Sequence, residues 1–487
     1  MNNRLWWWKV TSYLRWAIAA AGLIYVVGAK ADSSTWDLDA YLKQVSSNNA
    51  LIQSSRLQKE AAALKKHQGD LQELSPFLQV EGGYVNDGTE TAIPAQQGKR
   101  TITKFYSLGV SQKFSTGTTV SVGWSQNNTD IDGLAFPFTP AWDSRYTLGV
   151  SQSLWKDGFG RGVGLRHERE DAQERVSVLT AELQERQALI DAESAYWDLA
   201  VQVLDRDEKA NALARAEKIH AWTKRRLDSG IGDRADRLQI ESLIASRRLA
   251  QINSADSYEN ARKRFADALG TASAEVGTLN ADILMNSRPL SPGEGKDPNR
   301  LDMWIQSYAA KISETAARET QEMLRPDLAL TGAFGANARD PGIGTSTSDA
   351  FASDTSFYKV GLKLSMSLDF GLKHNLRAAA DAEAKAARMK SNKLSRDTAS
   401  SWDEIVRRHK ELGNSIDAME VLVKAQQAQL DREQERLSTG RSTTFQVITF
   451  EQSVADTKFS LLQLRAAQRK LEAASRLYMT QNAVEAL

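Results

Sequence analysis

The chain has 487 residues, with 62 Lys and Arg against 61 Asp and Glu and a formal net charge of +1. That balance lacks the basic excess of a nucleic-acid-binding surface, so no nucleic-acid partner is expected. Cys is absent, which excludes disulfides and thiolate-held metals and leaves the redox compartment unread.

The first residues read as a secretory signal, residues 1–31. Arg4, Lys9 and Arg15 supply positive charge, Trp16 to Val27 is apolar, and Ala29-Lys30-Ala31 gives a small-x-small cleavage pattern. The apolar run of about a dozen residues falls short of the roughly 20 that span a bilayer. Cleavage removes Arg4, Lys9, Arg15 and Lys30 and no acid, leaving a charge near −3. Past this point no apolar run reaches about 18 residues, so any membrane crossing falls to β-strands.

A helical stretch over 37–74 comes next and ends before Pro76. Residues 77–85 alternate weakly. In three further segments the period of two is clear. Tyr106, Leu108, Val110 and Phe114 oppose Ser107, Gly109, Ser111 and Lys113; Val120, Val122 and Trp124 oppose Thr119, Ser121 and Gly123; Tyr146, Leu148, Val150 and Leu154 oppose Thr147, Gly149 and Ser151. The connection 115–118 is short, whereas 86–104 and 127–144 are long and polar. Gly158 to Gly164 lacks the G-x-G-x-x-G spacing and any following Lys-Ser/Thr, and suits a strand-to-helix bend better than a phosphate loop.

A very long helix is predicted from Val163 to Asp228, stopped by Gly230 and returning over 235–269. Residues 271–298, with Pro289, Pro292 and Pro298, form a linker. The second half then repeats the order: helix 299–325, a weak strand 327–335, and a long connection 336–356. The sharpest strand follows, with Tyr358, Val360, Leu362, Leu364, Met366 and Leu368 on one face, and then helix 372–437, a stop at Gly440 and a return over 444–480. Helices of about 65 residues reach roughly 100 Å. Their scattered apolar positions among Ala and charged residues make a packing seam rather than a membrane face.

The two halves, 32–270 and 299–487, are repeats of unequal length. Arg226-Leu227-Asp228-Ser229-Gly230 matches Arg436-Leu437-Ser438-Thr439-Gly440 at an offset of 210, and Pro76-Phe77-Leu78 matches Pro326-Asp327-Leu328 at 250. Tyr146-x-x-Gly149 matches Tyr358-x-x-Gly361 at 212, so the first half carries 38 surplus residues between these motifs. An extra Tyr106-x-x-Gly109 lies within the surplus, which reads as one additional β-hairpin. The parity of apolar residues through 105–126 points to a transmembrane hairpin, which in three subunits gives eighteen strands; the competing account places it outside the membrane as an extracellular extension.

With one apolar and one small polar face, the strands fit lipid on one side and a watery lumen on the other. Four to six strands cannot close a barrel, and open edges cannot stand in hydrocarbon, so oligomerisation has to complete it. The fold class is therefore an α+β membrane protein: a transmembrane β-barrel completed by oligomerisation, with a long α-helical coiled-coil part and two structural repeats. Strand count alone permits a dimer or a trimer. The lipid-facing residues are Tyr106, Leu108, Val110, Tyr146, Leu148, Val150, Tyr358, Val360, Leu362 and Leu364.

The ordered set of Pro-strand, Tyr-x-x-Gly strand, long helix, Arg-Leu-x-x-Gly tip and returning helix, present twice, resembles the TolC-like outer-membrane efflux and secretion channel family. The likeness covers about residues 33–480 and includes the aromatic segments Ala195-Tyr196-Trp197-Asp198-Leu199 and Ser401-Trp402-Asp403-Glu404-Ile405. The resemblance implies a homotrimer in outer-membrane lipid with a periplasmic helical tunnel. It also implies a periplasmic adaptor and an inner-membrane transporter as partners, a passive efflux or type I secretion duct, and no cofactor. The tips then meet the adaptor through Leu227, Gly230, Asp233, Leu437, Gly440 and Arg441.

In the best-known member an Arg two residues past the second tip Gly pairs with an Asp six past the first, and Asp residues six and nine past the second narrow the bore. Here Asp236 matches the first Asp, but Ser442, Gln446 and Thr449 stand at the other three positions. These four are the entrance-constriction candidates, and the charged gate does not carry over.

Two rival readings are an enzyme and a periplasmic adaptor or other coiled-coil interaction protein. His67, His167, His220, His374 and His409 are scattered with no local pair at metal spacing, so no metal site and no catalysis are predicted. An adaptor needs a soluble sandwich domain, which lipid-type alternation on six strands argues against.

Overall fold

The computed structural model describes residues 36–230, 233–272, 279–286, 288–290, 299–352 and 355–479. The expected signal and most of the expected linker lie outside these. Among the described residues two compact units are present, one combining 36–44 with 198–283, the other 45–197 with 284–479.

Helix 37–74 is not one helix. It divides into α1 (Leu38–Asn48), α2 (Ala50–Leu64) and the single turn α3 (Asp70–Glu73). Asn49 makes the first break: its side chain accepts from the amides of Leu51 at 2.9 Å and Ile52 at 3.3 Å, restarting the helix as an N-cap. His67 makes the second, with a left-handed φ of 55° that no helix tolerates.

Six strands follow: β1 (Phe77–Asp87), β2 (Arg100–Lys113), β3 (Thr118–Asp132), β4 (Ala141–Ser153), β5 (Asp327–Asp340) and β6 (Ser356–Ser365). They form one antiparallel sheet in the order β1-β2-β3-β4-β5-β6. The surplus hairpin is thus β2–β3, laid within the sheet between β1 and β4. Strands β2, β3 and β5 run further than their alternation suggested, so the connections expected over 86–104, 127–144 and 336–356 shrink. The last of these also holds a helix, α8 (Ile343–Ala352), described below.

Between strand and helix the chain turns through left-handed Asp157 (φ 55°), Phe159 (φ 54°) and Gly160 (φ 79°). The Asp157 carboxylate accepts from the amides of Gly162 at 2.8 Å and Val163 at 3.3 Å and so starts the next helix. A side chain at Gly160 would strike the Ser115 carbonyl. This is the bend that the Gly-rich segment predicted. Helices α5 (Arg161–Asp228) and α6 (Arg234–Leu269) make the first hairpin. After α7 (Leu301–Met323), β5, α8 and β6, helices α9 (Phe370–Ser438) and α10 (Thr444–Ser475) make the second. At 69 residues, α9 is about 100 Å long.

The unit containing Asp198–Ile283 packs Leu38, Tyr41, Ile240, Phe265 and Leu269 out of solvent. Tyr41 stacks on Phe265 with ring centroids 4.1 Å apart, and Trp36 meets both rings edge-on. In the other unit, α9 packs on α10 and α7. Gln426 donates to Ser453 at 3.0 Å, and Arg465 pairs with Glu420 at 2.6 Å. Trp402, named among the aromatic segments, is buried against Tyr478 and Leu290. Trp197 and Tyr196 are buried as well, with the Trp197 indole donating to Glu193 at 3.2 Å and Arg476 on the other carboxylate oxygen. Burial raises the Glu193 carboxyl above the usual range despite these partners. Among the described residues no helix is long and apolar enough to cross a membrane.

Candidate channel wall and helical hairpin tips

The sheet register turns six separate alternations into one surface. Leu78, Val110, Val122, Leu148, Phe334 and Tyr358 are successive partners across all six strands. A neighbouring row joins Val80, Leu108, Trp124 and Tyr146, and another joins Val120, Val150, Gly332 and Val360. Between them the opposite face runs through Gly109, Gly123, Thr147 and Gly335 in one row and Ser111, Ser121, Gly149 and Ala333 in the next. One face is therefore apolar and the other small and polar, because side chains alternate and every pairing preserves parity.

The predicted lipid-facing residues share that apolar face. Tyr358, Val360, Leu362 and Leu364 are the most open, from 60 to 85% exposed, while Tyr106, Leu108, Val110, Leu148 and Val150 lie near 45%. Tyr146 is half-buried. Above the apolar rows the strands turn polar, at Asn127, Asn128, Thr129, Asp130 and Asp132 on β3. Tyr84, Tyr106, Trp124, Trp142 and Tyr146 mark the transition, with Tyr106 and Trp142 stacked at 6.0 Å. Aromatic residues at such a boundary match the girdle of an outer-membrane barrel.

Helix α8 was not foreseen. It lies on the apolar face over β4 and β5, where Phe351 packs on Tyr146 with centroids 3.8 Å apart. The Ser346 hydroxyl meets Ser144 Oγ at 2.9 Å and accepts from Gln126 Nε2 at 3.2 Å; all three side chains are buried. A cleft of about 560 Å³ beside the helix is lined by Leu108, Val122, Trp124, Leu148 and Phe334. Ile343, Ala350 and Phe351, at helical spacing within a polar stretch, were the signal available in the sequence.

Each hairpin tip is a helix stop of the kind its Gly announced. At the second tip Gly440 (φ 74°) donates to the Leu437 carbonyl at 3.0 Å and Arg441 to Arg436 at 2.8 Å, the paired bonds of a Schellman turn. Arg441 is exposed and Leu437 buried. Thr443 then opens α10 through a capping box with Gln446. The Ser442 hydroxyl bonds Glu433 and Gln446, and Thr449 donates back to the Phe445 carbonyl at 2.9 Å. Three of the four constriction candidates therefore have local partners within their own hairpin. At the first tip Gly230 (φ 74°) donates to Leu227 at 2.9 Å, and Asp233 caps α6 through the Ala235 amide at 2.9 Å. Asp236, in the first turn of α6, is half-buried.

One continuous antiparallel sheet with a lipid-type face, joined in the chain to two long helical hairpins in a twice-repeated order, has the fold of TolC-like outer-membrane channels. The chain is similar to the solved structure of CusC, described for its transmembrane channel formation, at 14% identity and a TM-score of 0.66, covering 91% of this chain and 92% of that one. It is likewise similar to the outer membrane protein VceC of Vibrio cholerae (14% identity, TM-score 0.65, 90% and 94% covered) and to the outer-membrane channel OprN (15%, 0.66, 92% and 93%). No family model and no curated protein matches the sequence.

Proposed function

We propose that the chain is one subunit of a trimeric outer-membrane channel-tunnel, a passive exit duct for efflux or type I secretion and not an enzyme. The sheet carries the reading. Strands β1 and β6 each have a partner on one side only, and unpaired N–H and C=O groups in hydrocarbon cost several kcal/mol each. Strand β6 of one copy can pair antiparallel with β1 of the next, since they run in opposite directions, and three copies close eighteen strands, an even number as bacterial barrels require.

In this reading the rows through Val110 and Val122 face lipid, and the Gly- and Ser-rich rows face the lumen. Leu227, Gly230, Asp233, Leu437, Gly440 and Arg441 meet a periplasmic adaptor, behind which an inner-membrane transporter supplies the energy. Asp236, Ser442, Gln446 and Thr449 stand at the entrance. The solved channels of this fold support the reading through shared architecture rather than through sequence. Native mass spectrometry in detergent should show three copies; a stable monomer or a dimer sinks the proposal.

A further inference from the structure

We propose that His67, Asp70 and His167 form a binding site for a borderline divalent metal ion of the Zn²⁺ type, which clamps the α2–α3 turn onto α5. The site is built by the break that divides the N-terminal helical stretch. After α2 the chain enters a tight turn in which His67 adopts a left-handed φ of 55°. Gly would hold that conformation without steric cost. A His there delivers an imidazole to the face of α5, and Asp70 follows three residues later on α3.

The opposing helix supplies the rest. The His67 and His167 rings lie with centroids 4.4 Å apart. His167 Nε2 is 2.8 Å from Asp70 Oδ1. One donor atom each from His67, Asp70 and His167 lies within 4.8 Å of the other two. Zinc takes imidazole nitrogen and carboxylate oxygen at about 2.0–2.2 Å, so small side-chain rotations bring all three donors onto one ion. His67 Nδ1 lies 3.1 Å from Glu170 Oε2, and its Nε2 lies 3.3 Å from Asp171 Oδ1. Both ring nitrogens of His67 therefore hold a carboxylate; an ion takes one nitrogen in place of its acid and leaves the other on its carboxylate, the usual support that orients a metal-bound His and raises its basicity.

Charge favours a cation. The ion-pair network around the cluster joins Asp70, Glu73, Asp157, Glu170 and Asp171 with Arg166, Lys66 and Lys113. Five carboxylates against three cations leave two negative charges around two imidazoles. Arg166 contacts Asp70 but also Glu73 and Glu170, so it keeps partners when the metal takes Asp70. The His and Asp side chains are about 30% exposed, open enough for an ion to enter.

The test is calorimetric titration of Zn²⁺ into the chelator-treated full chain in detergent, with the visible absorption of Co²⁺ as a second readout of N/O coordination. One ion per chain is expected at this site. His67→Asn keeps a residue that accepts left-handed backbone while removing the imidazole, and His167→Gln removes the second ligand. Each should weaken binding by at least about 10–100-fold, the loss typical of even an outer partner, and bleach the Co²⁺ band. His409→Gln, on a separate His–Glu472 pair, should change neither readout. The absence of saturable binding overturns the proposal, as does binding that His67→Asn leaves unchanged in a folded chain.

Discussion

The first repeat brings four strands to the sheet and the second brings two, yet both meet the same register and the same apolar face. The second repeat gains α8 between β5 and β6, whereas the wall of the first gains β2–β3, which enters between β1 and β4 without disturbing the parity of any row. A sheet accepts such an insertion because its side-chain period is two and its bonding is local: an added up-down pair leaves the direction of β4 and the facing of every residue intact. At the hairpin tips the two repeats match, each helix stopping at a Gly with φ 74° and restarting from a capping Asp233 or Thr443. The repeat therefore varies in the wall and keeps its tips.

The largest expected effect comes from removing the inserted hairpin. Deleting residues 100–132 joins the connections on either side and leaves β1 to pair with β4, as β5 already pairs with β6. Barrel diameter grows roughly linearly with strand number, so going from eighteen strands to twelve should shorten inter-subunit distances by roughly one third. The absence of Cys in the native chain makes a single spin label at Leu148→Cys a clean reporter. Unchanged label distances in the assembled deletion variant would mean that the hairpin is not part of a closed wall.

A smaller effect tests how the inserted strand is anchored. Lys113, at the lower end of β2, reaches Glu73 on α3 and Asp157 in the strand-to-helix bend, each at 2.5 Å. The side chain is about three-quarters buried, so Lys113→Met removes a shielded bridge and leaves two carboxylates without it. The expected cost is about 1–2 kcal/mol, read as a lower temperature for heat dissociation of the oligomer. Lys104→Met, exposed on the same strand with β1 and β3 on either side, should cost almost nothing; equal losses at both positions would mean that the shielded bridge is not what anchors β2.

The smallest effect is expected at the tips. Ser442, Gln446 and Thr449 are held by neighbours within the second hairpin, which leaves Asp236 without the charged gate that the resemblance would supply. Exposed ion pairs contribute only about 0–1 kcal/mol, so Asp236→Ala should leave single-channel conductance nearly unchanged. A large jump would reveal a lock at the first tip that the second does not share.

Much of this molecule could be read along the chain because its signals are local. Pro76 and Pro326 announce strands, Gly230 and Gly440 stop helices within a residue of the expected positions, and a period of two marks the lipid-type face before any partner strand is known. The surplus hairpin was legible as a length difference and its place in the wall from its parity, but its neighbours β1 and β4 were not, because pairing order is a non-local choice among strands of similar pattern. Helix α8 escaped notice because a ten-residue helix owes its stability to Tyr146, Ser144 and Gln126, all distant in sequence. The scattered His residues carried no metal signal for the same reason: His67 and His167 stand 100 positions apart, and only the left-handed turn at His67, packed against α5, sets their rings side by side.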